Sequence, residues 1–126
     1  MAKIMLCDDS STILLFLERK LRDGGHQIVG KAKDGEEGIR VYNESRPDVL
    51  ILDVTMPNKD GRECLKAVIA SHPSAKVIML TALLDKAIEN ECLGMGAKAL
   101  VSKSSIQNEN FSKDLCALID KVVKVS

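Results

Sequence analysis

Residues 49–53 read VLILD, and this stretch decides the fold. Its first four side chains are all apolar, so a strand over Val49–Leu52 would present hydrophobic groups on both of its faces. That pattern is typical of a central strand in a parallel sheet, where helices cover both sides. The segment Arg46–Asp48, which contains a proline, ends the helical pattern before the strand. The sequence therefore predicts a buried parallel strand that ends directly in the acidic Asp53.

Outward from this strand, short apolar runs alternate with segments of helical spacing. The predicted strands are Lys3–Cys7, Gln27–Ala32, Val49–Leu52, Lys76–Leu80 and Ala99–Ser102, and the predicted helices are Ser10–Leu21, Gly35–Ser45, Gly61–Ser71, Asp85–Leu93 and Asn108–Lys124. The connections are short and rich in Gly, Pro and Asp. Five strand–helix units of this kind predict an α/β domain with a parallel sheet and helices on both faces.

Composition limits the classes of function. The 126 residues fit one domain with one core, and 18 Lys and Arg balance 18 Asp and Glu to give a formal net charge of zero. This balance argues against a general nucleic-acid binder or a protein that binds anionic membranes. The aromatic residues Phe16, Tyr42 and Phe111 are too few for a base-stacking or sugar-binding surface, so the core is expected to be aliphatic.

The cysteines do not form a metal-binding pattern. Cys7, Cys64, Cys92 and Cys116 lie far apart, without the paired spacing of a zinc site. Cys7, Cys64 and Cys116 fall in apolar-periodic segments and are expected to pack as small buried hydrophobes. No signal peptide is recognisable before the first strand and no apolar run is long enough to span a membrane, so a cytoplasmic protein is expected.

Polar residues follow each predicted strand, but those after the second strand, Lys33 and Asp34, lie at the edge of the sheet and are less expected to converge with the others. Asp8 and Asp9 follow the first, Asp53 the third, Thr81 the fourth and Lys103 the fifth. Because ligands of doubly wound sheets bind beyond the carboxyl ends of the strands, these side chains are expected to meet. Each one alone also has an ordinary structural explanation, such as a helix N-cap, a loop acid or a solvated charge. Their coincidence at one edge of the sheet favours a functional site.

This set of side chains has a chemical logic. Three carboxylates alone would repel one another, and a Mg²⁺ ion relieves that repulsion. A carboxylate held against a metal, with a hydroxyl and an ammonium nearby, can attack a phosphoryl group to form an acyl phosphate. Thr81 and Lys103 would then bind the new phosphoryl oxygens. The sequence therefore predicts Mg²⁺-dependent phosphoryl chemistry.

The chain resembles the receiver domain of two-component response regulators, of the single-domain CheY-like (chemotaxis) type. The resemblance is carried by LCDDSS, VGKAKDGEEGI, RPDVLILDVTMPNKDG, VIMLTA and GAKALVSKS, which occur in family order. It implies one receiver domain over residues 1–126 with a doubly wound (βα)5 flavodoxin-like fold and strand order 2-1-3-4-5. It also implies Asp53 as the phosphoacceptor, with Thr81 and Lys103 contacting the phosphoryl group.

The resemblance further implies a metal site. Asp9 and Asp53, together with the backbone carbonyl of Thr55, would bind Mg²⁺ directly, and Asp8 would act mainly through water. The phosphoryl donor would be a histidine kinase or a small molecule such as acetyl phosphate. The protein would be a signalling receiver that promotes its own phosphorylation and dephosphorylation, not an enzyme with a separate substrate.

Output is implied to pass through a surface made by the fourth helix, fifth strand and fifth helix, around Lys86–Glu91, Lys98 and Lys113. The partner would be a downstream protein, without direct nucleic-acid binding or membrane insertion, and the receiver would be a monomer that could dimerise on phosphorylation. Met1 and the end of the chain at the last helix favour a stand-alone regulator. The alternatives are a receiver from a DNA-binding regulator or hybrid kinase, and a phosphorelay intermediate.

Three positions depart from the family pattern. Leu100 occupies the place of the usual aromatic switch residue that works with Thr81. Ser104 follows Lys103 where the family has a proline in a cis peptide; a non-proline cis bond costs about 2.5–4 kcal/mol, so this bond is expected to be trans or strained. Leu83, two residues beyond Thr81, cannot hydrogen-bond an attacking water. Leu83 therefore predicts a long-lived phosphoryl group. Together with Thr81 and Leu100, it is expected to be a switch and output position.

Rival interpretations fail at specific positions. Gly25–Ala32 is one residue short of a phosphate-binding P-loop, because Ala32 has no hydroxyl for Mg²⁺. An aspartyl-phosphate phosphatase would need an acid at Thr55. A flavodoxin-type FMN site would need a phosphate-cradling loop after the first strand, where Asp8 and Asp9 would instead repel a phosphate.

Overall fold

The computed structural model of the chain describes residues 1–56, 60–82 and 85–124. Strands and helices alternate along this part of the chain. The strands are β1 (Lys3–Cys7), β2 (Gln27–Ala32), β3 (Val49–Asp53), β4 (Val77–Thr81) and β5 (Ala99–Ser102). The α-helices are α1 (Ser11–Asp23), α2 (Gly35–Ser45), α3 (Gly61–Ser71), α4 (Lys86–Gly94) and α5 (Phe111–Lys124), and a 3₁₀ helix covers Lys103–Gln107.

The strands form one parallel sheet in the order β2-β1-β3-β4-β5. This confirms the predicted fold class and strand order. The order reverses between β1 and β3, so the connections after these two strands diverge and leave a crevice at their carboxyl ends. Asp8 and Asp53 lie at this crevice.

The core lies on both faces of the sheet, as the apolar VLIL run predicts. Leu50 and Leu52 of β3 pack into a cluster with α2, α3 and α4, while Val49 and Ile51 pack into a second cluster with α1 and α5. All four side chains are almost fully buried. Because both clusters share the same sheet, the positions of the strand ends depend on packing from both sides.

Two helices begin one residue later than predicted, because the residue predicted as the first of each helix is its N-cap. Ser10 was predicted as the first residue of a helix, but its Oγ accepts the Ile13 N–H at 3.2 Å, so it caps α1. Asp85 likewise accepts the Ile88 N–H at 2.8 Å and caps α4. Both residues favour the cap over the helix interior because their short polar side chains satisfy free N–H groups of the first turn.

The segment after β5 differs more from the prediction. A helix was expected from Asn108, but α5 begins at Phe111 and the 3₁₀ helix precedes it. Asn108 has an extended backbone, and its Oδ1 accepts the N–H of Asn110 at 2.9 Å. Side-chain bonds to nearby backbone groups of this kind compete with α-helix formation.

Most of the cysteines, and His26, are buried. Cys7, Cys64 and Cys92 are buried, and burial is the main cause that raises the pKa of the Cys7 thiol. Cys116 is only half-buried, so the prediction for it was partly wrong. His26 is buried, and its Nδ1 accepts the Ala2 N–H at 3.0 Å.

Within the described ranges, no helix combines the length and apolar character needed to cross a membrane.

Candidate metal centre

Three strands bring oppositely charged side chains together at the crevice. Lys103 follows β5, and its Nζ lies 2.9 Å from Asp8 Oδ2 and 3.0 Å from Asp53 Oδ2. The two carboxylate side chains are only 2% and 4% exposed, and the lysine side chain is 21% exposed. Removing the lysine would leave two buried carboxylates without a counter-charge. The lysine therefore links the ends of β1, β3 and β5.

Local backbone bonds hold each acid in place. Asp8 Oδ1 accepts the Ser10 N–H at 2.9 Å, and the Asp8 N–H donates to the Ala32 carbonyl at 3.0 Å. Asp53 Oδ1 accepts the Thr55 N–H at 3.3 Å. One oxygen of each carboxylate is thus bound by its own loop, while the other oxygen contacts the lysine.

A third acid completes the cluster. Asp8, Asp9 and Asp53 each offer an oxygen, and these oxygens all lie within 4.8 Å of one another. Asp9 is exposed, whereas the other two acids are buried. Three ionised carboxylates beside one ammonium leave an excess of two negative charges, which one divalent cation would balance. The donors are hard oxygens, and Mg²⁺ prefers a few carboxylates together with water. The residues present fit this ion.

Burial changes the acid–base behaviour of the site. Loss of solvation, followed by the repulsion from Asp8, raises the pKa of Asp53 from 3.8 to about 6, although Lys103 acts in the opposite direction. For Lys103, burial alone would lower the pKa, but its contacts with Asp8 and Asp53 outweigh this and hold the pKa above its usual value. The lysine therefore stays charged at neutral pH. Asp53 is mostly ionised at the same pH, although its buried site disfavours the charged form.

Thr81 ends β4 beside these groups. It is buried and pairs with Ser102 of β5, while Leu80 pairs with Asp53 of β3. Because β4 lies between β3 and β5, Thr81 lies at the same edge of the sheet as Asp53 and Lys103, as expected from the sequence. Leu100 is half-buried and packs against the cluster formed by α2, α3 and α4. Leu83 lies outside the described residues.

The sequence reasoning missed one close backbone contact. Gly61, the first residue of α3, donates its N–H to the Val54 carbonyl at 2.8 Å. A Cβ at this position would overlap the carbonyl oxygen of Asp53. Only glycine fits here without displacing the loop that carries Asp53. The Asp-Gly pair at residues 60–61 was the available signal, since Asp60 caps α3.

The Lys103–Ser104 bond is also settled by the structure. None of the peptide bonds in the described parts of the chain is cis, so this bond is trans. Of the two alternatives expected from the sequence, the trans form is the one that avoids the cost of a non-proline cis bond.

Comparison with known proteins identifies the family. The sequence profile of the response regulator receiver domain matches residues 4–113. The chain belongs to this family. It is 34% identical to the chemotaxis protein CheY of Listeria monocytogenes over 82% of this chain and 87% of that protein. The resemblance seen in the sequence is thereby confirmed.

Solved structures agree. The response regulator domain of Thermotoga maritima CheB has a TM-score of 0.88 and 30% identity, covering 98% of this chain and 97% of that one. CheY in the CheX-CheY-BeF3-Mg²⁺ complex from Borrelia burgdorferi has a TM-score of 0.87 and 29% identity, covering 95% and 87%. Receiver domains are signalling proteins that accept phosphoryl groups from histidine kinases and bind Mg²⁺ at an acidic pocket.

Proposed function

We propose that this protein is a phosphorylation-dependent signalling switch in which Asp53 accepts a phosphoryl group from a histidine kinase in a Mg²⁺-dependent reaction. One observation carries the proposal. Asp53 is buried at the crevice, 3.0 Å from the Lys103 ammonium and within 4.8 Å of the oxygens of Asp8 and Asp9. A buried acid with both a counter-charge and further cation ligands beside it is suited to accept a phosphoryl group.

In the proposed step, a carboxylate oxygen of Asp53 attacks the phosphorus of a phosphohistidine. The new O–P bond forms as the P–N bond breaks, and the leaving imidazole keeps the electron pair and takes a proton from solvent. With acetyl phosphate, the P–O bond to acetate breaks instead and acetate leaves. Both routes yield an acyl phosphate on Asp53, which water can later hydrolyse.

Asp8, Asp9 and Asp53, with the Thr55 carbonyl, would hold the metal. The Thr55 backbone is attached to the acidic site by its N–H bond to Asp53 Oδ1 at 3.3 Å. When bound, Mg²⁺ neutralises the carboxylates and polarises the phosphoryl oxygens. Asp8 has one oxygen engaged by Ser10 and the other by Lys103, which supports a role through water for this acid.

Lys103 and Thr81 would contact the phosphoryl group. The Lys103 ammonium, which already faces Asp53, would neutralise negative charge as it develops on the phosphoryl oxygens. The Thr81 hydroxyl would donate to one of these oxygens, so that the end of β4 responds to phosphorylation. Leu100 would take part in this response by repacking its half-buried side chain against the core, without the swing of an aromatic ring.

The output would pass through α4, β5 and α5. β5 is an edge strand whose four residues are all half-buried, and Leu93 on α4 is 43% exposed, so this region offers a partly apolar surface. The relatives named CheY and CheB support a role in chemotaxis. The partner would be a downstream protein, and the receiver would act as a monomer with dimerisation on phosphorylation as a further form.

The test is intact-protein mass after incubation with acetyl phosphate and Mg²⁺. The expected result is the gain of one phosphoryl group that hydroxylamine removes, as expected of an acyl phosphate. Asp53→Asn and a sample with a chelator should both show no gain. Asp120→Asn, an exposed acid on α5, is the matched control and should react like the wild type. Phosphorylation that persists in folded Asp53→Asn would contradict the proposal.

A further inference from the structure

A turn held by serine hydroxyls follows β5 and contains Lys103. Ser102 Oγ accepts the backbone N–H of Ser104 at 3.2 Å, and the hydroxyl oxygens of these two residues lie 2.8 Å apart. Ser105 Oγ donates to the Ser102 carbonyl at 2.6 Å. Ser102 is thereby the N-cap of the 3₁₀ helix Lys103–Gln107. Residues 102–105 are named the serine turn.

The serine turn fixes the backbone on both sides of Lys103. On the preceding side, Ser102 pairs with Thr81 in the sheet. On the following side, the N–H of Ser104 is bound to the Ser102 hydroxyl. A lysine side chain has several rotatable bonds, so a defined backbone reduces the number of places its ammonium can reach. Here the ammonium reaches two buried carboxylates at 2.9 and 3.0 Å.

We infer that Ser102 is a positioning residue for phosphoryl transfer, because its hydroxyl caps the serine turn and so holds the Lys103 ammonium at the acidic site. This inference rests on the proposed function, in which Asp53 is the phosphoacceptor and Lys103 supplies the counter-charge. Ser102 acts through the backbone of Lys103 and makes no contact with the phosphoryl group. The hydroxyls of Ser104 and Ser105 support the same turn.

The first experiment measures the rate constant for phosphorylation by acetyl phosphate at saturating Mg²⁺, together with the Mg²⁺ dissociation constant from calorimetry. Ser102→Ala removes the capping hydroxyl. Since this bond is inferred to hold Lys103 in place for phosphoryl transfer, its loss should slow phosphorylation by about tenfold. The Mg²⁺ dissociation constant should not rise, because the carboxylates are unchanged. General damage to the site would weaken Mg²⁺ binding as well.

Two further variants serve as controls. Ser102→Thr keeps a capping hydroxyl at an extended backbone position, and it should restore most of the rate. Ser71→Ala removes an exposed hydroxyl at the end of α3, far along the chain from the serine turn, and should react like the wild type. Failure of Ser102→Thr to restore the rate would contradict capping as the cause.

The second experiment is a double-mutant cycle with Lys103→Ala. If Ser102 acts only through the lysine, Ser102→Ala should have no further effect on the rate in the Lys103→Ala background. Equal losses in both backgrounds would overturn the inference. A wild-type rate in Lys103→Ala would also overturn it, while the role of Asp53 would remain separately tested by Asp53→Asn.

Discussion

Asp53 is a carboxylate that folding makes harder to ionise. Its pKa is raised from 3.8 to about 6, mainly by burial and then by Asp8. Below pH 3.8 the acid is protonated in both the folded and the unfolded chain. As the pH rises from 3.8 to about 6, Asp53 ionises in the unfolded chain but stays mostly protonated in the fold. The metal-free protein therefore loses stability over this range. A shift of this size corresponds to about 3 kcal/mol at neutral pH.

Asp53→Asn should therefore stabilise the metal-free protein at pH 7.5. The amide is neutral and its oxygen can still accept from Lys103, so the free energy of unfolding should rise by about 1–3 kcal/mol. The gain should shrink towards pH 4.5, where the wild-type acid is protonated in the fold. Urea unfolding followed by circular dichroism with a chelator present measures both values. A gain that does not depend on pH would contradict the electrostatic explanation.

The start of α3 is where a helix and the strand carrying Asp53 meet most closely. A Cβ on Gly61 would overlap the Asp53 carbonyl oxygen and lie 2.8 Å from the Val54 Cα, and both obstacles are backbone atoms. A change of side-chain rotamer cannot relieve such a clash, so the helix or the strand end has to move. Because the strand end carries Asp53, the proposed phosphoacceptor, a shift of this strand end should change both stability and phosphorylation.

Gly61→Ala should lower the free energy of unfolding by about 2–3 kcal/mol and slow phosphorylation of Asp53. Gly94→Ala, at the end of α4, is the matched control, because a Cβ there meets no atom within 4 Å. The control should be neutral or stabilising by up to about 1 kcal/mol, since alanine is the better helix former. Urea midpoints for both variants decide the matter. Equal midpoints for Gly61→Ala and the wild type would show that the loop adapts at little cost.

The strands and the convergence of the site were predictable from the sequence, whereas the connection after β5 was not. Apolar runs such as Val49–Leu52 can only be buried between two layers of helices, and parallel strands bring their carboxyl ends to one edge. The 3₁₀ helix depends on hydroxyl-to-backbone bonds among three serines, and hydrophobic periodicity carries no signal for these bonds. Lys103, which contacts both Asp8 and Asp53, is the first residue of this 3₁₀ helix.

The acidic site joins distant parts of the chain across the sheet. Asp8 lies after β1, Asp53 ends β3 and Lys103 follows β5, while both core clusters pack on the same strands. A cation bound by Asp8, Asp9 and Asp53 would favour only the folded chain, because unfolding separates its ligands. Such a ligand stabilises the whole fold, and the effect increases with its concentration.

Mg²⁺ should therefore raise the midpoint of urea unfolding of the wild type at pH 7.5. At a concentration of about 100 times its dissociation constant, the gain in stability should be about 2.7 kcal/mol. The gain should be smaller at pH 5, because the raised pKa of Asp53 lets protons compete with the ion. In Asp9→Asn/Asp53→Asn most of the gain should disappear, while Asp120→Asn should keep it. An equal effect of Mg²⁺ on all three proteins would mean that the ion binds elsewhere, and the proposed metal centre would then be wrong.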